Sequence, residues 1–350
     1  MRIWTDFHHS ALLRSLVYLF ADRLDHKLSV VSVELATCTG TGATGVWGTT
    51  SQDAMRTTIG LTDHELRNVS MCSVDQFMAN DFDAYLITRT ETMEVLKRYG
   101  HPLKGKIYIA QSGNEYMPYE WDWIGNALCS DLETYSRIDR SRTNAIFSPQ
   151  ELARFIRPDE YEPITEENRF TVASFMHNLK GYDCQIRPWH LPPEQTVNLF
   201  REYMALRIAC PSLKGYNFEA YGAQNDEIFG VGLTEAQLRL PYLDAGCGWH
   251  YKTHEGYGHG LLNFLAAGRP VVCPAGFYDR KTAGLYLMDR KNCIMTDYTA
   301  QGMCMGILDV TNSLEHANEL GRCAYDTFDM IDFPGHAESA KHWLDNARAY

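Results

Sequence analysis

The residues best suited to chemistry lie between Glu255 and Val272. An acid opens a loop with Gly256, Gly258 and Gly260 at every second position and Tyr257 and His259 between them. An apolar run of helix length follows (Leu261, Leu262, Phe264, Leu265, Ala266, Ala267). Gly268 stops it, and Pro270, Val271 and Val272 enter a buried strand. A glycine-rich turn feeding a helix leaves backbone N–H groups at the positive end of the helix dipole, and the missing side chains let a diphosphate approach. Glu255, just ahead of the turn, is placed to accept hydrogen bonds from hydroxyls of whatever the phosphate carries. Asn263, about two turns into the helix, is within reach of a ribose. The plainer alternative is a glycine-rich strand-to-helix turn of any α/β domain.

The surrounding pattern predicts the elements that hold these groups. Residues 1–6 read as a strand running into a turn, and residues 10–23 as an amphipathic helix with Leu12, Leu13, Leu16, Val17, Leu19 and Phe20 on its apolar side. Residues just past the carboxyl end of a strand line the crevice of an open α/β sheet, which puts Asp6, His8 and His9 there. An imidazole titrating near neutrality can orient or deprotonate a hydroxyl; equally, His8 or His9 can cap the following helix. Residues 28–35 form a second strand, and 37–48 a small-residue loop carrying Trp47. Strands at 83–88, 106–111, 126–129 and 144–147, with a helix at 90–99, imply a parallel doubly wound sheet. Residues 157–169 hold Pro158, Pro163 and five acids, the composition of a domain linker. A second alternation follows: strand 170–174, helix 195–209, strand 216–222, short helix 234–242, and strand 247–252 feeding the Glu255 loop. Helices at 312–327 and 337–350 end the chain.

The Glu255 segment resembles the donor-sugar motif of group 1 glycosyltransferases with the GT-B fold, E-G-F-G-x-x-x-x-E. The likeness continues from Ala266 to Val272, where the family has A-x-G-x-P-V-V. It implies that Glu255 contacts the transferred sugar and that Gly256, Tyr257, Gly258 and His259 line the donor. The second acid of the motif, which binds the ribose, is Asn263 here. An amide still hydrogen-bonds a diol but without the carboxylate's charge-assisted strength. Lys180, followed by Gly181, resembles the family's pyrophosphate-binding Lys-Gly, with His177 near the place of an expected Arg. Tyr221-Gly222 resembles the strand end beside the nucleotide base. The resemblance implies an α/β protein of GT-B type, two Rossmann-like doubly wound domains facing a central cleft, with Glu255 opposite Asp6 and His8. Residues 1–160 would be the acceptor-side domain and 161–335 the nucleotide-sugar-binding domain, with a final helix, 336–350, crossing back to the first. It further implies a retaining, metal-independent transfer with no cofactor, the co-substrate being UDP-glucose or a similar nucleotide sugar. The segments at 3–10 and 275–284 are similar to bacteriophage-encoded glycosyltransferases, which implies DNA bearing 5-hydroxymethylpyrimidines as acceptor. A surface glycan, a small metabolite, an epimerase activity, or a binding protein that lost catalysis stay open.

Composition narrows the classes. A chain of 350 residues is long enough for two domains, each with its own core. A net charge of −12 argues against bulk attachment to nucleic acid or anionic membrane. A local basic face remains, at Arg137, Arg140 and Arg142, which either touches phosphates or is solvated. Trp47, Trp121 and Trp123 are candidate wedges for flipping a base. No apolar segment reaches 18 residues, and no secretory signal precedes Asp6. The ten cysteines form no C-x-x-C pair or zinc-spaced cluster. Cys129, Cys247, Cys273 and Cys293 read as reduced core thiols, and the compartment as cytoplasmic, host cytoplasm for a phage protein.

Overall fold

The computed structural model describes all residues except 7–9, 33–34, 36–50, 80, 88–89, 99–104, 113–124, 148–154, 177–178, 180–189, 223–232, 254, 256, 332 and 350. The chain divides into two compact units, Met1–Leu152 with Asp332–Tyr350, and Ala153–Ile331.

The first unit is built on a seven-stranded sheet: β1 Arg2–Thr5, β2 Lys27–Val31, β3 Val69–Cys72, β4 Ala84–Ile87, β5 Ile107–Ser112, β6 Asn126–Cys129 and β7 Asn144–Phe147. Its order is β3-β2-β1-β4-β5-β6-β7, and every pairing is parallel. Alternation sorts the side chains onto two faces. Ile3, Leu28, Val30, Ala84, Leu86 and Ile109 join one core with Leu13, Val17 and Phe20. Trp4, Val31, Tyr85, Ile87 and Tyr108 join the other with Phe77 and Met93. Both faces are covered, so these strands read as near-continuous apolar runs. The helix expected at 10–23 is α-helical over Ser10–Leu16 and π-helical over Val17–Arg23.

Residues 52–78, to which the apolar pattern assigned nothing, contain the edge strand β3 and short helices. Two of those helices begin with capping boxes, Thr62 with Glu65 and Ser73 with Gln76. Each is the Ser/Thr-x-x-Glu/Gln signature, so the helix starts were legible at those four residues. The helices are too short for an apolar period to register.

The helix Phe333–Asp345 belongs to the first unit. Ala337, Ala340, Trp343 and Leu344 pack into the core that holds Ile3 and Leu28. Trp343 Nε1 donates to Asn144 O at 2.7 Å, and Asn126 exchanges hydrogen bonds with Arg348 main-chain N and O at 2.8 and 2.7 Å.

The second unit carries β8 Thr171–Phe175, β9 Asn217–Tyr221, β10 Cys247–Trp249, β11 Val271–Pro274 and β12 Cys293–Thr296, in the order β12-β11-β10-β8-β9. All pairings are parallel. β8 is followed outward by β9, whereas β10 lies on its other side, so the order reverses between β8 and β10. Open α/β sheets bind ligands at the carboxyl ends of strands at such a reversal. Edge strand β12 and the helix Ala300–Val310 were not marked by the sequence pattern. The helix expected at 195–209 starts at Leu199, because the Asn198 side chain accepts from Arg201 N and caps it there. Residues 157–169 lie within this unit and are anchored. Arg157 sits 3.8 Å over the Tyr325 ring and pairs with Asp329 at 2.8 Å, while Tyr161 Oη donates to Asn318 Oδ1 at 2.8 Å.

Cys129, Cys247, Cys273 and Cys293 are buried and in no disulfide, and burial pushes the Cys129 and Cys247 thiols up to about 12. Cys210 and Cys304 are bonded to each other, a pairing that their separation of 94 residues did not announce. Among the described residues no helix is long and apolar enough to cross a membrane.

Removing the Trp343 indole should open a cavity and break its bond to Asn144. Trp343→Ala is expected to cost about 3–5 kcal/mol, read as a lower urea midpoint at unchanged slope. An unmoved midpoint would contradict the packing of this helix into the first unit.

Candidate functional site

The chain leaves β10 directly into the glycine-rich stretch. Gly248, within the strand, faces the Phe264 ring, which a Cβ would approach to 2.6 Å. That contact seats the helix His259–Ala266 flat on the sheet. Gly258 ends the loop in the left-handed region, φ +96° and ψ 38°, and a Cβ there would overlap that of Ala283. Glycine is required twice over, by the backbone and by the close approach. Leu261 N and Leu262 N donate to Gly258 O at 3.1 and 3.2 Å, so amides ahead of Leu261 have no acceptor inside the helix. Ala283 N donates to Tyr257 O at 3.0 Å, tying the loop to the polar turn that follows β11.

Electrostatics centre on Glu255, whose side chain is 12% exposed. Lys252 Nζ lies 2.7 Å from its Oε2, and His250 Nε2 lies 3.5 Å from the same oxygen. Burial alone would raise the Glu255 pKa, but the Lys252 charge and the His250 contact outweigh it and hold the carboxyl well below the usual range. His250 is fully buried, and burial lowers its pKa despite the neighbouring carboxylate, so it is neutral at pH 7. Its ring lies against the helix start: a Cβ on Gly260 would fall 2.5 Å from His250 Cε1.

Several buried polar atoms around this turn have no hydrogen-bond partner: Thr253 Oγ1, Asn263 Oδ1 and His250 Nδ1. Buried polar atoms are ordinarily satisfied, and a cluster that is not marks where a ligand's polar groups fit. Asn263 is 7% exposed and gives Nδ2 to Tyr242 Oη at 3.2 Å. Tyr242 stacks on Phe175 with ring centroids 3.7 Å apart, and Phe175 on Tyr221 at 5.1 Å. This aromatic tier rises from the carboxyl ends of β8 and β9. Tyr221 Oη donates to Glu219 Oε2 at 2.7 Å, and Gly222 follows the strand.

Glu255, Tyr257, Gly258, His259 and Asn263 therefore come together on one loop and helix, with Tyr221 and Gly222 ending β9 in the same unit. Gly256, His177 and Lys180, and on the acceptor side His8 and His9, lie outside the described residues, as do Trp47, Trp121, Trp123 and His254. Asp6 follows β1 in the first unit, 1% exposed, and accepts from Thr92 Oγ1 at 2.6 Å. Sequence reasoning did not single out Lys252, Thr253 or the Phe175–Tyr242 stack. A Lys three residues ahead of an acid was a legible signal for the first; the stack joins residues 67 positions apart and carries none. Among the described residues no group of three His, Cys, Asp or Glu side chains is gathered as metal ligands would be.

No family model and no curated protein matches this chain. Solved structures do. The pneumococcal O-GlcNAc transferase GtfA, in complex with UDP and GlcNAc, is similar at TM-score 0.53 and 12% identity over 75% of this chain and 56% of its own, so the chain spans about half of that protein. Anabaena HepE in complex with UDP and glucose is similar over 99% of both chains, at TM-score 0.61 and 10% identity. Sucrose-phosphate synthase from Thermosynechococcus elongatus is similar over 99% of both chains, at TM-score 0.60 and 7% identity. At these identities the likeness is one of architecture. The fold is α/β of the GT-B type, with two Rossmann-like doubly wound domains.

Two outcomes are expected. Gly258→Ala forces a left-handed non-glycine residue against Ala283 and should cost about 1–3 kcal/mol, read by chemical denaturation; an unchanged midpoint would contradict the loop conformation. His250 binds its proton more weakly folded than unfolded, so it contributes stability that is present above its unfolded value of about 6.5 and is lost as pH falls below it. Thermal melts from pH 8 to pH 5 should fall more steeply for wild type than for His250→Gln; parallel curves would refute this.

Proposed function

We propose that this chain is a glycosyltransferase that moves a sugar from a UDP-sugar to an acceptor hydroxyl. The observation that carries the reading is an ionised carboxylate, Glu255, standing ahead of a glycine-shaped turn at a helix start, beside the sheet reversal between β8 and β10, with unsatisfied buried polar atoms around it. The GT-B fold supports it, since neighbours of that fold were determined with UDP, glucose or UDP-glucose bound.

In this reading Glu255 accepts from a sugar hydroxyl, and the amides around Gly256, Tyr257, Gly258 and His259, with Lys180 and His177, meet the diphosphate. Asn263 takes the ribose, and Tyr221 and Gly222 lie by the base. The acceptor oxygen bonds to the anomeric carbon as the bond from that carbon to the diphosphate oxygen breaks; UDP leaves with the electron pair, and the acceptor's proton passes to the leaving phosphate or to His8 or His9. Charge grows on the diphosphate in the transition state, so donors fixed around it lower the barrier directly. Transfer is expected to retain configuration and to need no metal.

Glu255→Gln should lower turnover about 10- to 100-fold, the worth of one hydrogen bond to a charged group, while leaving UDP affinity nearly intact. Lys180→Ala should weaken both. Calorimetry with UDP and UDP-sugars beside a turnover assay decides. Binding without turnover on any acceptor would leave a nucleotide-sugar-binding protein, a role the amide at Asn263 permits; no binding at all sinks the reading.

The proposed acceptor is a 5-hydroxymethylpyrimidine in DNA, a primary alcohol projecting into the major groove. The exposed Arg137, Arg140 and Arg142 would meet the backbone in an otherwise acidic chain. Arg137 is paired with Glu133 and Arg140 lies 5.3 Å over the Tyr135 ring, so both are held at the surface. Incubation with hydroxymethylcytosine DNA and a UDP-sugar, followed by nucleoside mass analysis, should show a hexose-sized gain that falls with rising salt. Transfer to a glycan or small alcohol instead would overturn this acceptor.

A further inference from the structure

The contacts of the Glu255 carboxylate with Lys252 and His250 fall on one oxygen. Lys252 Nζ and His250 Nε2 approach Oε2 at 2.7 and 3.5 Å. Neither contact is to Oε1, and the side chain as a whole is 12% exposed. A carboxylate has lone pairs on both oxygens, and one held from a single side presents the other in a fixed direction. The lysine that does this is itself fixed. Its carbonyl accepts from Tyr298 Oη at 2.7 Å, and Tyr298 is buried against Tyr251, with ring centroids 5.9 Å apart. Its side chain is 19% exposed, so the pair is largely out of water and feels little screening.

We infer that Lys252 is a positioning residue for the proposed transfer: it holds Oε2 of Glu255 so that Oε1 is presented, ionised, to a hydroxyl of the donor sugar. The inference rests on the transferase reading and deepens it, because it assigns a role to a side chain that does not itself touch the reacting atoms. The groups acting on Glu255 are Lys252 and His250, and from the turn after β11 Tyr278 faces His250 at 6.3 Å between rings. His250 is buried without charge, so Lys252 supplies the only full positive charge among them. Without it, burial would push the Glu255 carboxyl up, and a protonated carboxyl is a poorer acceptor for the sugar.

The test uses the full chain as wild type, Lys252→Met, Lys252→Arg and Glu255→Gln, with UDP and UDP-glucose as probes. Two readouts are followed with pH: kcat/KM for UDP-glucose turnover, and the carboxyl-carbon NMR titration of Glu255, identified by its loss in Glu255→Gln. Lys252→Met should move the acid limb and the titration upward together by about one pH unit, a ~10-fold rate loss on that limb. UDP affinity should hold, and Lys252→Arg should restore both readouts. Melting curves of the two variants separate misfolding from mispositioning. A titration that stays in place, or UDP affinity falling as far as UDP-glucose turnover, would overturn the role, the latter making Lys252 a diphosphate contact. A wild type that turns over no nucleotide sugar removes the transferase reading and this role with it, whereas normal wild-type turnover with an unmoved titration overturns the role alone.

Discussion

A carboxylate withdrawn from water must be met by charge and hydrogen bonds or it protonates. Glu255 is such a group, and much of the second unit is arranged around that constraint. Lys252 reaches it from three residues upstream, just past the end of β10. His250 must be buried to stay neutral there, and its ring then occupies the space that Gly260 leaves open. Gly258 must turn left-handed to start the helix in the room left by Ala283. Gly258 and Gly260 thus each answer a specific neighbour, and the charge at Glu255 lies beside the turn they shape.

The sheet makes that arrangement possible. β10 is flanked by β8 and β11, with Gly248 opposite Ala173 and Val271 in parallel register. A central strand carries the loop, and Phe264 packed on Gly248 seats the helix that follows. The aromatic tier of Tyr221, Phe175 and Tyr242 rises from the neighbouring strand ends and meets Asn263 through a hydrogen bond. An amide at this position can give its Nδ2 to a tyrosine hydroxyl, where a second carboxylate would add another buried charge to a site already balanced by one lysine.

The first unit has its own logic. Its sheet is covered on both faces, and the last helix of the chain supplies part of one cover through Trp343 and Leu344. Stability of the first unit therefore depends on residues separated from it in sequence by the entire second unit.

The amino-acid sequence by itself determined the alternation of strands and helices, the glycine turn, and the acid ahead of it, because period, breakers and a short motif are local properties. It also determined the buried thiols at Cys129 and Cys247. The pattern left out β3 and β12, and it left out the Cys210–Cys304 bond, since pairing over 94 residues is set by which helices pack together. Residues 157–169 read as a bare linker by composition, yet Arg157 and Tyr161 are anchored on the helix Leu314–Phe328 by ring and hydrogen-bond contacts. The charge state of Glu255 was likewise decided only in three dimensions. Its neighbours in sequence gave the lysine, but only folding removes the water that would otherwise screen the pair and neutralises His250 beside it.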